Sequence, residues 1–171
     1  MTLEERLARL EACAAIAEVM ERYATAADAK YTALRAKRAR AEIDRAAAGQ
    51  AACFAPDALW QGGDFGGDRQ GRAAIEAFFR VSPWQFTAHH YGQPLIGVEG
   101  GSATASWRLL ELGIREADGR VVLLTGRVAQ SWAQLPEGWR IAAMRFESLH
   151  AISLADTPEA LRCLIPAGES F

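Results

Sequence analysis

The sequence contains no apolar run approaching the roughly 20 residues that a membrane-spanning helix requires. Cysteine is scarce: Cys13, Cys53 and Cys163 are odd in number and far apart. They exclude a disulfide framework and a zinc ribbon, and read as reduced thiols. Nor is there an excess of one charge. Nineteen Lys and Arg stand against 21 Asp and Glu, a net of −2, which argues against a dedicated nucleic-acid binder. The opening Met1-Thr-Leu-Glu-Glu-Arg lacks a secretory pattern, so a cytoplasmic location is expected.

Sites are missing as well. There is no glycine-rich dinucleotide or phosphate loop, no Gly-x-Ser-x-Gly elbow, and no His-x-x-x-His or carboxylate-rich metal cluster. No metal and no cofactor are therefore expected. What is present is ample core material, 50% hydrophobic residues in a chain of 171, a length that fits one domain. Only three histidines accompany it: His89, His90 and His150.

Leu3, Leu7, Leu10, Ala14, Ala17, Met20 and Ala24 recur at helical spacing, and Thr2 with Glu5 forms a capping box. Thr32 to Ala48 is alanine-rich, free of Gly and Pro, and carries Arg35, Lys37, Arg38, Arg40 and Arg45. It reads as a second helix with a solvated basic face, balanced in part by Glu42 and Asp44. A short third helix is expected from Gly71 to Arg80, ended by Pro83. Extended runs follow near 85–98, 102–115, 120–133 and 139–150, separated by Gly100-Gly101, Asp118-Gly119 and Pro136-Glu-Gly138. Such long strands, bent at internal glycines, give a strongly curved, mostly antiparallel sheet. The N-terminal helices should cover its concave face. The expected fold is α+β, a cone enclosing a cavity.

Two groups stand out for chemistry. Extending the first helix by one turn places Asp28 on its apolar face, where a carboxylate needs a partner. Alternatively, the helix ends early and Asp28 caps the next turn. On the first long strand, Phe86, Ala88 and His90 share one face, and Thr87, His89 and Tyr91 the other. With the Phe/Ala face turned inward, His90 meets Asp28 and His89 points out. The pair would be a general base held by a carboxylate. Trp107, Phe146 and His150 fall on inward parities, and Tyr23 and Tyr31 flank Asp28, so an aromatic pocket for a ring-bearing substrate is expected. Arg127 falls on the outer parity.

These features occur in order: Tyr23…Asp28, Phe54-Ala-Pro-Asp-Ala-Leu-Trp60, Gly71-Arg-Ala-Ala-Ile, His89-His-Tyr-Gly92 and Gly138-Trp-Arg-Ile141. Over roughly residues 5 to 150, the chain resembles the SnoaL-like branch of the nuclear transport factor 2-like superfamily. Scytalone dehydratase and hexachlorocyclohexane dehydrochlorinase of that superfamily use a helix aspartate and a strand histidine. The resemblance implies Asp28 and His90 as the catalytic dyad. Lys30 is displaced by one residue from the lysine that follows the aspartate in the dehydrochlorinase. About 25 residues separate Asp28 from Phe54, more than in most relatives. Residues 1–150 would form the domain, and residues 151–171 a tail that covers the pocket.

The implied function is a cofactor-independent lyase for a small aromatic or polycyclic substrate, by dehydration, elimination or deformylation. Lys30, Tyr23 or Tyr31 would stabilise a phenolate or enolate, and Trp107, Phe146 and His150 would contribute to the binding pocket. The alternatives are an isomerase or cyclase and a non-catalytic binding or dimerisation module. A homodimer or homotrimer built on the outer sheet face is the expected assembly, with neither nucleic acid nor membrane as a partner.

Overall fold

The first helix, α1 (Leu3–Asp28), starts at the capping box expected from the sequence: Glu5 N–H donates to Thr2 Oγ1 at 3.1 Å, and Thr2 N–H to Glu5 Oε2 at 2.7 Å. Its buried side is set by Ile16, Val19, Met20, Tyr23 and Ala27. Traced back toward the N-terminus, that side runs through Ala15 and Ala12, which pack partly against the core. Leu3, Leu7 and Leu10 lie on the other side and are exposed. The leucine stripe expected to face the core therefore faces out for the first three turns. Ile16 and Val19 carry more burial than the leucines, and they fix the helix phase.

The computed structural model describes residues 1–63 and 66–155. Among these, the elements after α1 are α2 (Arg40–Ala51), β1 (Phe54–Gln61), β2 (Asp68–Gln70), α3 (Arg72–Phe79), β3 (Trp84–Tyr91), β4 (Leu95–Glu99), β5 (Ser102–Arg115), β6 (Val121–Leu135) and β7 (Gly138–Ala155). The strands form one mixed, unclosed seven-stranded sheet in the order β2-β1-β7-β6-β5-β3, with β4 also paired to β5. Only β1 and β7 run parallel. α1 and α3 pack against this sheet, α2 packs on those two helices, and Tyr23, Phe54, Trp60, Phe79, Trp107, Trp132 and Met144 lie in the core. The α+β architecture expected from the sequence is the one observed.

Some boundaries differ from the expectation. The second helix begins at Arg40, not Thr32. Residues 30–38 instead fold back on themselves: Thr32 N–H donates to Ala36 O at 2.8 Å, Arg38 N–H donates to Lys30 O at 2.9 Å, and Tyr31 bridges to Lys37. Arg35 adopts φ 61°, which breaks any continuous helix there. The basic residues of this region are largely paired: Lys37 with Glu116 at 2.6 Å, Arg38 with Glu42 at 3.3 Å and Arg40 with Asp44 at 3.0 Å. The first extended run is two strands, broken at Gly92-Gln93-Pro94. The last strand continues through Ala155, so the expected tail from 151 begins as sheet. Its remainder, 156–171, lies outside the described residues.

Two irregularities control which side chains face the helices. In β3, Trp84 pairs with Arg115 and Phe86 with Ile114, so Gln85 is an extra residue in the ladder. In the β6–β7 ladder the register shifts between Thr125 and Arg127, beside Ser148 at φ 50°. A Cβ on Gly126 would lie 3.1 Å from the Leu149 Cα, so the close backbone approach at this bulge favours glycine.

Candidate active site

Asp28 is the last residue of α1, in a helix that does run the extra turn. Its carboxylate reaches β3 and accepts three hydrogen bonds: from Thr87 Oγ1 at 3.0 Å, from the His89 backbone N–H at 2.9 Å, and from His89 Nδ1 at 2.6 Å. A carboxylate with this set of donors accepts rather than donates, so Nδ1 carries the proton and Nε2 is turned away from Asp28.

The imidazole inside is that of His89; His90 is exposed. This reverses the expectation, which turned the apolar Phe/Ala face inward; the face that carries Thr87 and His89 meets Asp28 instead. Trp84 lines the interior, and straight alternation from Trp84 would bring Phe86, Ala88 and His90 inward. Across the bulge the alternation shifts by one, so Thr87, His89 and Tyr91 point in instead.

The same physics removes His150. Met144 and Phe146 keep the inward parity, but the irregularity near Ser148 turns Leu149 inward and leaves His150 exposed. Trp107 is buried as expected, but it packs behind Tyr91 and donates to Gln130 Oε1 at 2.7 Å, away from the residues that line the cavity. Arg127 is on the outer face.

His89 opens on an inner cavity of about 70 Å³. Its walls come from every layer: Tyr23 and Ala27 from α1, Gln50 from α2, Phe78 and Phe79 from α3, Trp60 from β1, Glu111 from β5 and Phe146 from β7, with Lys30, Tyr31 and Ser82 from the loops. Through Pro83, Trp84 and Phe146 it adjoins a wider bowl of about 940 Å³, lined by Val122, Leu124, Leu149 and Ala151 with Arg115 and Arg145 at its edge. Tyr23, Lys30, Tyr31 and Phe146 thus line one cavity with His89, where the expected pocket had His90, and Trp107 and His150 do not join them.

Glu111 went unrecognised in the sequence, although the signal was there. It continues the parity Ala103, Ala105, Trp107, Leu109, so it sits on the inward face of β5 directly opposite His89 in the ladder. It is 5% exposed, and its Oε2 lies 3.4 Å from His89 Nε2. The imidazole is therefore held between two carboxylates, one on each ring nitrogen. Among the described residues no three His, Cys, Asp or Glu side chains converge on a common point that could hold a metal ion.

Burial dominates the electrostatics. It pushes His89 down, but Glu111 and then Asp28 more than offset this, leaving the imidazole above its ordinary value. Burial raises Glu111, opposed by His89. Lys30 is 6% exposed; burial lowers it to about 8, with Asp28 and Glu111 pulling the other way. Its Nζ donates to Gln50 Oε1 at 3.0 Å and sits 5.5 Å from the centre of the Phe79 ring. The Tyr31 hydroxyl, pushed up to about 12 by burial, contacts Ser82 Oγ at 2.8 Å. Burial likewise raises Tyr23.

The SnoaL-like domain family matches residues 8–145. No curated protein matches the chain. Among solved structures, a hexachlorocyclohexane dehydrochlorinase (LinA) type 2 superposes with a TM-score of 0.71 at 16% identity, covering 88% of this chain and 93% of that one. The type 3 dehydrochlorinase from Novosphingobium barchaimii LL02 gives 0.67 at 15%, covering 86% and 94%. A candidate scytalone dehydratase from Novosphingobium aromaticivorans DSM 12444 gives 0.65 at 16%, covering 99% and 100%. At these identities the likeness is one of fold. With the family match spanning most of the sequence, the chain belongs to the SnoaL-like family, on the nuclear transport factor 2-like fold.

Proposed function

We propose that this protein is a cofactor-independent lyase that removes a proton and a leaving group from a small, largely apolar, ring-bearing molecule. The observation that carries this reading is the 2.6 Å contact between Asp28 and His89 Nδ1 at the wall of a cavity lined by Tyr23, Trp60, Phe78, Phe79 and Phe146. Asp28 fixes the tautomer and stabilises the imidazolium that forms when Nε2 takes a proton. Lys30 supplies a donor for an oxygen that gains negative charge as the proton leaves. The aromatic walls give a flat substrate its binding energy. Fold neighbours named as dehydrochlorinases and as a candidate scytalone dehydratase support the same class of reaction.

The test is a mass-spectrometric screen of hydroxylated and halogenated aromatic compounds with wild type, His89→Ala and His90→Ala. Loss of water, halide or a one-carbon fragment by wild type is expected. His89→Ala should lose at least ~10²-fold in rate, while His90→Ala stays near wild type. Equal activity in His89→Ala and wild type overturns the assignment of the base. A product of unchanged mass points to an isomerase instead.

A further inference from the structure

The mechanism above uses one side of His89. On the other side, Glu111 is buried in the cavity wall with Oε2 at 3.4 Å from Nε2, the ring nitrogen not bonded to Asp28. The contact is built into the backbone, because His89 and Glu111 are direct partners in the β3–β5 ladder. A carboxylate that was merely structural would be saturated by donors in this setting, as Asp28 is. Glu111 has instead the imidazole 3.4 Å away, within ion-pair distance, on one side and the cavity before it.

From this geometry we propose that Glu111 is the second acid–base group of the site and protonates the departing oxygen, so that the substrate loses a hydroxyl group rather than a halide. This rests on the lyase reading.

The bookkeeping of protons closes. The reactive state has a neutral His89 and a protonated Glu111. Nε2 takes the proton from carbon, and the C–H pair becomes the new C=C bond. The C–O bond breaks with its pair on oxygen, and oxygen takes the Glu111 proton and leaves as water. Imidazolium and carboxylate remain side by side, and one proton passing from Nε2 to Oε2 restores the start. No proton is exchanged with solvent, and the total charge of the pair stays constant. A halide leaves as a stable anion without a proton donor, and a site serving it would have no use for this acid.

The groups facing the pair are Asp28 from α1, Lys30 from the loop after it, and the buried hydroxyls of Tyr23, Tyr31 and Tyr91. All of them are retained in Glu111→Gln, so that variant isolates the carboxylate. The first measurement is an NMR titration of the ¹⁵N-labelled histidine rings in wild type and Glu111→Gln, with His90 as internal reference. The His89 midpoint should fall in the variant while His90 stays put, and an unmoved His89 overturns the proposal. Glu111→Asp, which keeps the charge but draws it back, should shift His89 less.

The second measurement compares matched alcohols and chlorides on the same aryl skeletons in the mass-spectrometric screen. Alcohols should be dehydrated by wild type and at least ~10²-fold more slowly by Glu111→Gln. Turnover of the chlorides alone, equally fast in both proteins, overturns the proposal. A screen in which neither class reacts fails the lyase reading itself, and the titration then still decides whether the two residues share a proton.

Discussion

At the scale of single residues, the site is an exercise in what burial does to charge. Lys30 is the clearest case: its ammonium is lowered from 10.5 to about 8 mainly by burial, against the pull of Asp28 and Glu111. A lysine with a depressed value binds its proton less tightly when folded, so the unfolded chain holds more protons between about pH 8 and 10.5. Stability contributed by this group is therefore lowest below pH 8 and recovers as the pH rises through that window. The full difference amounts to about 3 kcal/mol. Urea unfolding of wild type at pH 7.5 and pH 9.5 should show about 2 kcal/mol of this gain, and Lys30→Met should be more stable than wild type at pH 7.5 and lack the gain. An equal pH response in both proteins would show that Lys30 is solvated. A buried cation kept at such a cost fits a role toward the substrate's oxygen better than a role in holding the fold.

At the scale of elements, the periods of the sequence were legible and the interruptions were not. The helical run to Asp28, the hairpin turns and the long strands follow from apolar spacing and Gly/Pro punctuation. Even Glu111 was readable by extending the parity of Trp107 and Leu109. The choice between His89 and His90 was not: the two alternating faces of β3 were readable but not which of them is inner, and the extra residue at Gln85, which offsets them from Trp84, carries no side-chain signature. The irregularity beside Ser148 did the same to His150. Apolarity also misled: the inward face of β3 carries Thr87 and His89, both of which bond Asp28, while Phe86 packs at the margin against Tyr31, with ring centres 5.9 Å apart. The strand pair that presents the site is closely fitted. A Cβ on Gly113 would stand 2.8 Å from the Trp84 ring, which lines both cavities. Gly113→Ala should destabilise the protein by about 1–3 kcal/mol in thermal melts, and a melting curve matching wild type would show that Trp84 has room to move.

At the scale of the whole molecule, one sheet and one core carry the stability, and the first turns of α1 stand apart from both. Leu3 is 78% exposed, Leu7 54% and Leu10 66%, whereas Ile16 is fully buried. Deleting residues 2–10 should therefore shift the melting temperature by only a few degrees in dilute solution. A drop of 10 degrees or more would show that the leucines are covered in the assembled protein.

The same economy governs the tandem His89-His90. With the extra residue above the pair, the inner imidazole stands on the same rung as Glu111. Were that residue absorbed below the pair, regular counting from Trp84 and Arg115 would set His90 opposite Leu109 and Ala88 opposite Glu111. Either frame offers an imidazole to the interior, but only one offers it together with an acid. The unpaired backbone unit at Gln85 thus acts as a selector, and the pairing of acid with imidazole is a property of strand register before it is a property of either side chain.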